Sequence, residues 1–326
     1  MLRLLLLIVG LTWTVPVLAD STPPWRDWQS TLHVESERAG TIRDTRAEAA
    51  IKPEGLIDRL AAARFVLIGE AHDNPDHHRL QAWIIARLAA RGETSTVVME
   101  MITRDKADAL AAFLARPDAM AEALGPAVGW DKSGWPAWQY YQPIAEAALS
   151  AGLPIKAGNP SADDMKSVAR EGFDSLGGGR RAELLLDRPL SDNLSEALSN
   201  ELFEGHCRML PRDRLQPMGR IQRLRDAAMA DALVAQDEAV LIAGNGHVRA
   251  DRGVPWYLRR RAPEADIAVV MLVELDGSAK AAKAYVERGP DGAPTADFIW
   301  LTPRAERSDP CEEMRRQMRK RRGDGD

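Results

Sequence analysis

Residues 65–78 read FVLIGEAHDNPDHH. An apolar run, 65–68, stops at Gly69, and the next nine residues hold one glutamate, two aspartates and three of the chain's six histidines. An apolar run of this length without polar alternation predicts a strand covered on both faces, as in a parallel sheet. Asp73-Asn74-Pro75 reads as a helix start, with Asp73 or Asn74 as the cap and Pro75 at the first helical position.

Four further apolar runs repeat the pattern, at 96–99, 154–157, 239–243 and 267–273. Helical patterns lie between the runs: 75–90, with Leu80, Ile84 and Leu88 on one stripe, then 104–115, 143–150 and 221–236. Strand alternating with helix predicts an α/β fold, a mostly parallel sheet flanked by helices on both faces. Residues 161–219 are polar, contain Gly177–Gly179 and keep a weak helical period, and read as a helical insertion or cap after the third strand. Near the N-terminus, 31–34 and 40–43 are expected to pair as a hairpin. The expected organisation is a signal peptide at 1–19, an irregular or hairpin segment at 20–44 and a single α/β domain at 45–303 with its insertion at about 161–219. A charged tail at 304–326 follows, ending EEMRRQMRKRRGDGD, which reads as a solvated helix and tail.

The chain has 326 residues, enough for one large domain or two small ones. Its net charge of −5 gives no electrostatic reason to expect a nucleic-acid partner. The first residues, MLRLLLLIVGLTWTVPVLAD, pair a positive charge at Arg3 with an apolar core too short for a typical span, and small residues precede the expected cleavage after Ala19. Export implies an oxidising compartment. Cys207 and Cys311 are too few for an iron–sulfur cluster or a Cys-rich zinc site, and sequence alone leaves their pairing open.

In an open parallel sheet, ligands bind beyond the carboxyl ends of the strands. The residues that follow the runs are Gly69, Glu70 and His72; Glu100; Gly158 and Asn159; and Gly244, Asn245, Gly246 and His247. Glu70, His72, Glu100, Asn159 and His247 are therefore expected to face one cleft. They suit a two-His-carboxylate site for a divalent metal, a water-activating base with an orienting carboxylate, or a structural network that ties the strand ends together. His72, beside a helix N-terminus, is expected to be neutral. His78 falls in the same first turn, and His77 is expected to pack near the Leu80 stripe. A second cluster, GWDKSGWPAWQYYQPI at 129–144, crowds Trp130, Trp135, Trp138, Tyr140 and Tyr141 together. It is either a packed aromatic lid or a flat surface for a planar ligand with a phenol nearby, and tyrosinate is one axial ligand of haem iron.

Taken in order, GEAHDNPDHH (69–78), VVMEM (97–101), W-x-x-Y-x-P (Trp138 to Pro143), RDAAMA (225–230) and GNGHVRADRGVP (244–255) resemble the ChaN-like haem-binding family, grouped with Tiki and erythromycin-esterase-like proteins. The resemblance implies a parallel sheet with an added helical part and haem held at a homodimer interface, with a tyrosine on iron and charged or His side chains near the propionates. It implies an exported haem-binding protein related to iron uptake, with an outer-membrane or periplasmic uptake partner. Family members are commonly lipoproteins; this chain lacks the lipobox cysteine and is expected to be periplasmic or secreted. Tyr141 matches the W-x-x-Y-x-P position and is the favoured iron ligand, with Tyr140 and Tyr257 as rivals and His78 as a further cofactor contact. In related hydrolases the equivalent His and Glu act on water or bind metal. That role maps to Glu70, His72, Glu100 and His247, and makes an esterase- or amidase-like hydrolase, with or without a divalent metal, the alternative.

Overall fold

A computed structural model describes residues 23–278 and 281–323; the expected signal peptide lies outside them. The FVLIGE run forms a six-residue strand, Phe65–Glu70, buried at every position. Its side chains alternate between two cores. Val66 and Ile68 join one, with Leu80, Ile84, Val97, Met99, Val240 and Ile242. Phe65 and Leu67 join the other, with Leu224, Leu233, Leu241, Val254 and Val269. A strand with a core on each side has no polar face, so its sequence shows no alternation.

The strands, in chain order, are β1 (Ile42–Asp44), β2 (Ala49–Ile51), β3 (Phe65–Glu70), β4 (Thr96–Thr103), β5 (Ile155–Asn159), β6 (Ala239–Gly244), β7 (Ile267–Glu274) and β8 (Phe298–Thr302). They form one sheet in the order β2-β1-β8-β7-β3-β6-β4-β5. From β8 to β5 every pairing is parallel, and β1 and β2 extend the edge antiparallel. The predicted α/β fold is present, and each of the five predicted runs overlaps a strand, the third starting one residue before β5. β8 was not predicted. The hairpin sits later than expected: 42–44 pairs with 49–51, whereas Leu32 makes only an isolated bridge to Arg304. The cause is local, because Asp44 Oδ1 accepts from Arg46 N and Ala47 N at 3.0 and 2.8 Å and fixes the turn directly after β1.

The helix after β3 spans Pro75–Ala89, and its cap is Asn74, whose side chain accepts from Asp76 N at 3.0 Å. Asp76, fully buried in the first turn, accepts Gln29 N and Ser30 N at 2.9 and 2.8 Å and so ties the N-terminal segment to this helix. The insertion is helical, as expected, with helices Ala162–Glu171, Gly178–Glu183 and Asp192–Gly205. Glu201 on the last of these pairs with Arg252 in the loop after His247. Cys207 and Cys311 form a disulfide with Cα atoms 5.5 Å apart, which joins the end of the insertion to the C-terminal helix, Pro310–Gly323.

The end of β3 packs tightly on the short helix Asn245–Val248. A Cβ on Gly69 would lie 2.2 Å from Asn245 Oδ1 and 2.6 Å from Val248 Cγ2. Gly69→Ala is expected to lower stability by about 2–3 kcal/mol, seen as a lower urea midpoint at unchanged slope. Gly55→Ala is the control: its Cβ meets nothing within 4 Å, and in a helix the change is expected to be neutral or stabilising by up to about 1 kcal/mol.

Candidate functional site

Parallel register brings the strand ends level. Glu70 pairs with Gly244 across β3 and β6, and Met99 pairs with Ile242 across β4 and β6. Two carboxylates, Glu70 and Glu100, therefore flank the end of β6, and both are buried. Between Met99 and Thr103 the β4–β5 register shifts. Asn159 fills the irregularity by donating Nδ2 to the Glu100 carbonyl at 2.6 Å.

Glu70 is the centre of one half of the site. Its Oε1 receives the Tyr141 hydroxyl at 2.8 Å and stands 2.8 Å from His72 Nδ1, while Oε2 lies 3.2 Å from His78 Nδ1. His78 Nε2 donates to the His72 carbonyl at 3.0 Å. Burial opposes charge on Glu70, but His78 and His72 outweigh it and hold its pKa well below the usual range. His72 is the outward member: its side chain is 36 % exposed. Burial lowers its pKa, and the hydrogen bond and charge of Glu70 overcome this, so the net shift is upward. The expectation of a neutral imidazole at the helix N-terminus is thus corrected, because a carboxylate at bonding distance outweighs a dipole end. The Cε1–Nε2 edge of His72 lies over Gly244, where an added Cβ would sit 2.9 Å from both atoms.

Glu100 is the centre of the other half. Its Oε2 accepts Gly244 N at 2.8 Å; its Oε1 lies 3.2 Å from His247 Nε2 and 3.7 Å from Arg225 Nη1. His247 Nδ1 stands 2.6 Å from Asp226 Oδ1. Burial works against charge on His247, yet Glu100 and Asp226 together raise its pKa to about 10. Burial also raises Asp226 to about 6, with His247 pulling the other way. Glu100 is lowered to about 2, His247 outweighing its burial.

The strand-end residues Glu70, His72, Glu100, Asn159 and His247 do converge. They do so as two bonded groups, Glu70 with His72 and Glu100 with His247 and Asn159, and among the described residues no three His, Cys, Asp or Glu side chains form a group that could hold a metal ion. Of the four candidate ligands His72, His247, Glu70 and Glu100, His72 pairs with Glu70 and His247 with Glu100. Asp226 and Arg225 were missing from the strand-end census because they lie on a helix, Gln216–Val234. The available signal was an acid set among Leu224, Ala227, Ala230 and Leu233, a position that demands a partner.

The aromatic stretch divides. Trp130, Trp138 and Tyr141 are buried, and Gly125 makes room for Trp138, 2.5 Å from where a Cβ would stand. Trp135 stands edge-on to His72 with ring centroids 4.8 Å apart. Tyr140 is 37 % exposed, stacked at 6.1 Å on His78. Tyr141 is fully buried, and burial together with Glu70 raises its pKa. Tyr257 is also fully buried, on the far side of the cluster; Arg223 donates to its hydroxyl at 3.2 Å, and burial raises its pKa to about 12. His77 does more than pack: it accepts Ala71 N at Nδ1, 2.8 Å, and meets Thr302 Oγ1 at Nε2, 2.9 Å. A hollow of about 620 Å³ opens at the opposite rim, beside Asp44, Arg46, Asp266 and Phe298, and holds none of these residues.

The family model described as haem-binding uptake, Tiki superfamily, ChaN, matches residues 56–258. Among solved structures, the chain is similar to ChaN of Campylobacter jejuni, described for cofacial haem binding, with a TM-score of 0.62 and 23 % identity over 81 % of this chain and 97 % of that one. Looser similarity reaches the type III effector HopBA1 (TM-score 0.42, 12 % identity, 76 % and 91 % covered) and the erythromycin esterase EreC (TM-score 0.38, 15 % identity, 83 % and 84 % covered). No curated protein matches the sequence.

Two buried histidines give opposite pH dependences. Burial holds His77 down at about 3, against 6.5 when free. Its stabilising contribution is present above pH 6.5 and is lost as pH falls toward 3, because the unfolded state takes up the proton first. His247 is raised, so its contribution is present below 6.5 and is lost as pH rises through about 10. Urea unfolding across this range is expected to show a flatter acid limb in His77→Gln and a flatter alkaline limb in His247→Gln than in the unaltered protein. Identical profiles for all three proteins contradict the assignment.

Proposed function

We propose that this chain, which belongs to the haem-binding uptake family, ChaN, of the Tiki superfamily, binds ferric haem on the open rim beside β3 and serves iron uptake as an exported protein. The observation that carries the reading is the exposure of Tyr140 next to His78, with Trp135 and the half-open His72 alongside. Ferric haem takes an anionic oxygen donor on iron, and tyrosinate is one. The residues present fit that need at one place. Of the chain's four tyrosines, Tyr141, Tyr257 and Tyr285 have their hydroxyls bonded to Glu70, Arg223 and Asp276. Tyr140 is the one exposed among them.

Tyr140 therefore replaces Tyr141 as the proposed iron ligand, and Tyr141 holds Glu70 instead. His72 and the half-buried Arg225 are the cations placed to pair with propionates. A porphyrin lying on an open rim keeps one face bare; a second copy of the chain would cover it, which supports a homodimer. The Cys207–Cys311 disulfide supports export to an oxidising compartment. An uptake partner, periplasmic or in the outer membrane, would exchange haem at this rim.

Titration with haemin is expected to give a saturable Soret shift. Tyr140→Phe should weaken it at least about tenfold, the factor that corresponds to about 1.4 kcal/mol, while Tyr141→Phe should leave the spectrum unchanged. The absence of any shift in the unaltered protein overturns the reading, and loss in Tyr141→Phe alone overturns the ligand assignment.

A second reading rests on the His72–Glu70 pair. A part-exposed imidazole with Nδ1 on a buried carboxylate is the arrangement of a general base. As a hydrolase of esters or amides, the protein would activate water at His72, with Glu70 as the orienting group. Hydrolysis of an ester panel that vanishes in His72→Ala and persists in Tyr140→Phe supports this alternative; no hydrolysis of any ester removes it.

A further inference from the structure

The C-terminal helix, Pro310–Gly323, buries little. Cys311, Met314 and Met318 form its half-buried stripe, and no described side chain on it is fully buried. So little apolar contact does not by itself hold a helix in place. The hold is covalent and ionic: Cys311 is bonded to Cys207, and just upstream Arg307 reaches Asp73 and Glu274, each at 2.6 Å.

With 3.6 residues per turn, Arg315, Arg319, Arg316 and Lys320 share one arc of about 140° on the side away from Met314 and Met318. All four are exposed. Among the described residues none of the four has an ion-pair or hydrogen-bond partner. Glu312 and Glu313 occupy the first turn, where acids suit the helix dipole, so the cations fall beyond them, and Arg321-Arg322 continue the run in the sequence. A chain of net charge −5 thus holds out a strip of opposite sign.

We propose that this arc is a docking surface for an anionic lipid bilayer. The helix is held at its first turn by the Cys207–Cys311 disulfide and turns its four exposed cations outward on one arc, a charge complement to a plane of anionic headgroups. The contact is peripheral, because no described helix is long and apolar enough to cross a membrane. Each cation near an anionic bilayer strengthens binding about fivefold, and four together on the order of several hundredfold. The inference is independent of haem binding.

The test is sedimentation of the full, disulfide-intact chain with vesicles of phosphatidylcholine alone or mixed with phosphatidylglycerol. Binding is expected only to the mixed vesicles, falling steeply as salt rises to about 0.5 M. The variant Arg315→Glu, Arg316→Glu, Arg319→Glu, Lys320→Glu should lose at least about a hundredfold in apparent affinity, with its urea midpoint and haemin titration unchanged. Equal partition to both vesicle types, or a variant that binds like the unaltered chain, overturns the proposal. Binding to a DNA duplex without binding to vesicles also overturns it and assigns the arc to nucleic acid.

Discussion

The carboxylate of Glu70 has no exposure to water, and it is held by the Tyr141 hydroxyl and the imidazoles of His72 and His78. A buried anion is costly unless its partners are in place, and removing one partner leaves the charge stranded. Glu70 therefore constrains three separate pieces of chain: the end of β3, the first turn of the Pro75–Ala89 helix and the Trp138–Ser150 helix. It also fixes which face of each is turned inward. The exposure of Tyr140 follows, because the carboxylate takes up its neighbour Tyr141, while His72 spends only Nδ1 on Glu70 and leaves its ring part-exposed.

Close approach of backbone makes this crowding feasible. Gly69 admits Asn245, and Gly244 admits the ring of His72. Gly253 sits against the His247 carbonyl, 2.1 Å from where a Cβ would stand. The glycines that punctuate the strand ends are thus part of the site: they let two charged clusters, one centred on Glu70 and one on Glu100, lie on either side of the single strand β6.

The sequence was most legible where burial was complete. β3, β4, β6 and β7 are apolar runs because both faces are covered, and the strand-end rule then located Glu70, His72, Glu100 and His247. β8 is a similar run, Phe298–Thr302, but among the described residues between 275 and 297 there is only the short turn Ala282–Tyr285 and no long helix, so the alternation argument had no place for it. β1 and β2 are three residues each and depend on a side-chain turn at Asp44. Asp226 was hidden because it reaches the site from a helix. The choice between Tyr140 and Tyr141 was written in the helical phase: Trp138, Tyr141, Ala145 and Ala148 share one buried stripe. Taking Pro143 as a helix start concealed that stripe, since this proline lies inside the helix.

The sheet order has a consequence for the way the chain is made. β3 is an early strand, yet its two neighbours begin at residues 239 and 267. While the ribosome works through the intervening stretch, FVLI has neither edge paired, and the chain must carry a sticky segment until three-quarters of its length exists. Pairings so distant in sequence form slowly. The same residues that give the finished protein its two cores make the nascent one a client for whatever shields apolar chain.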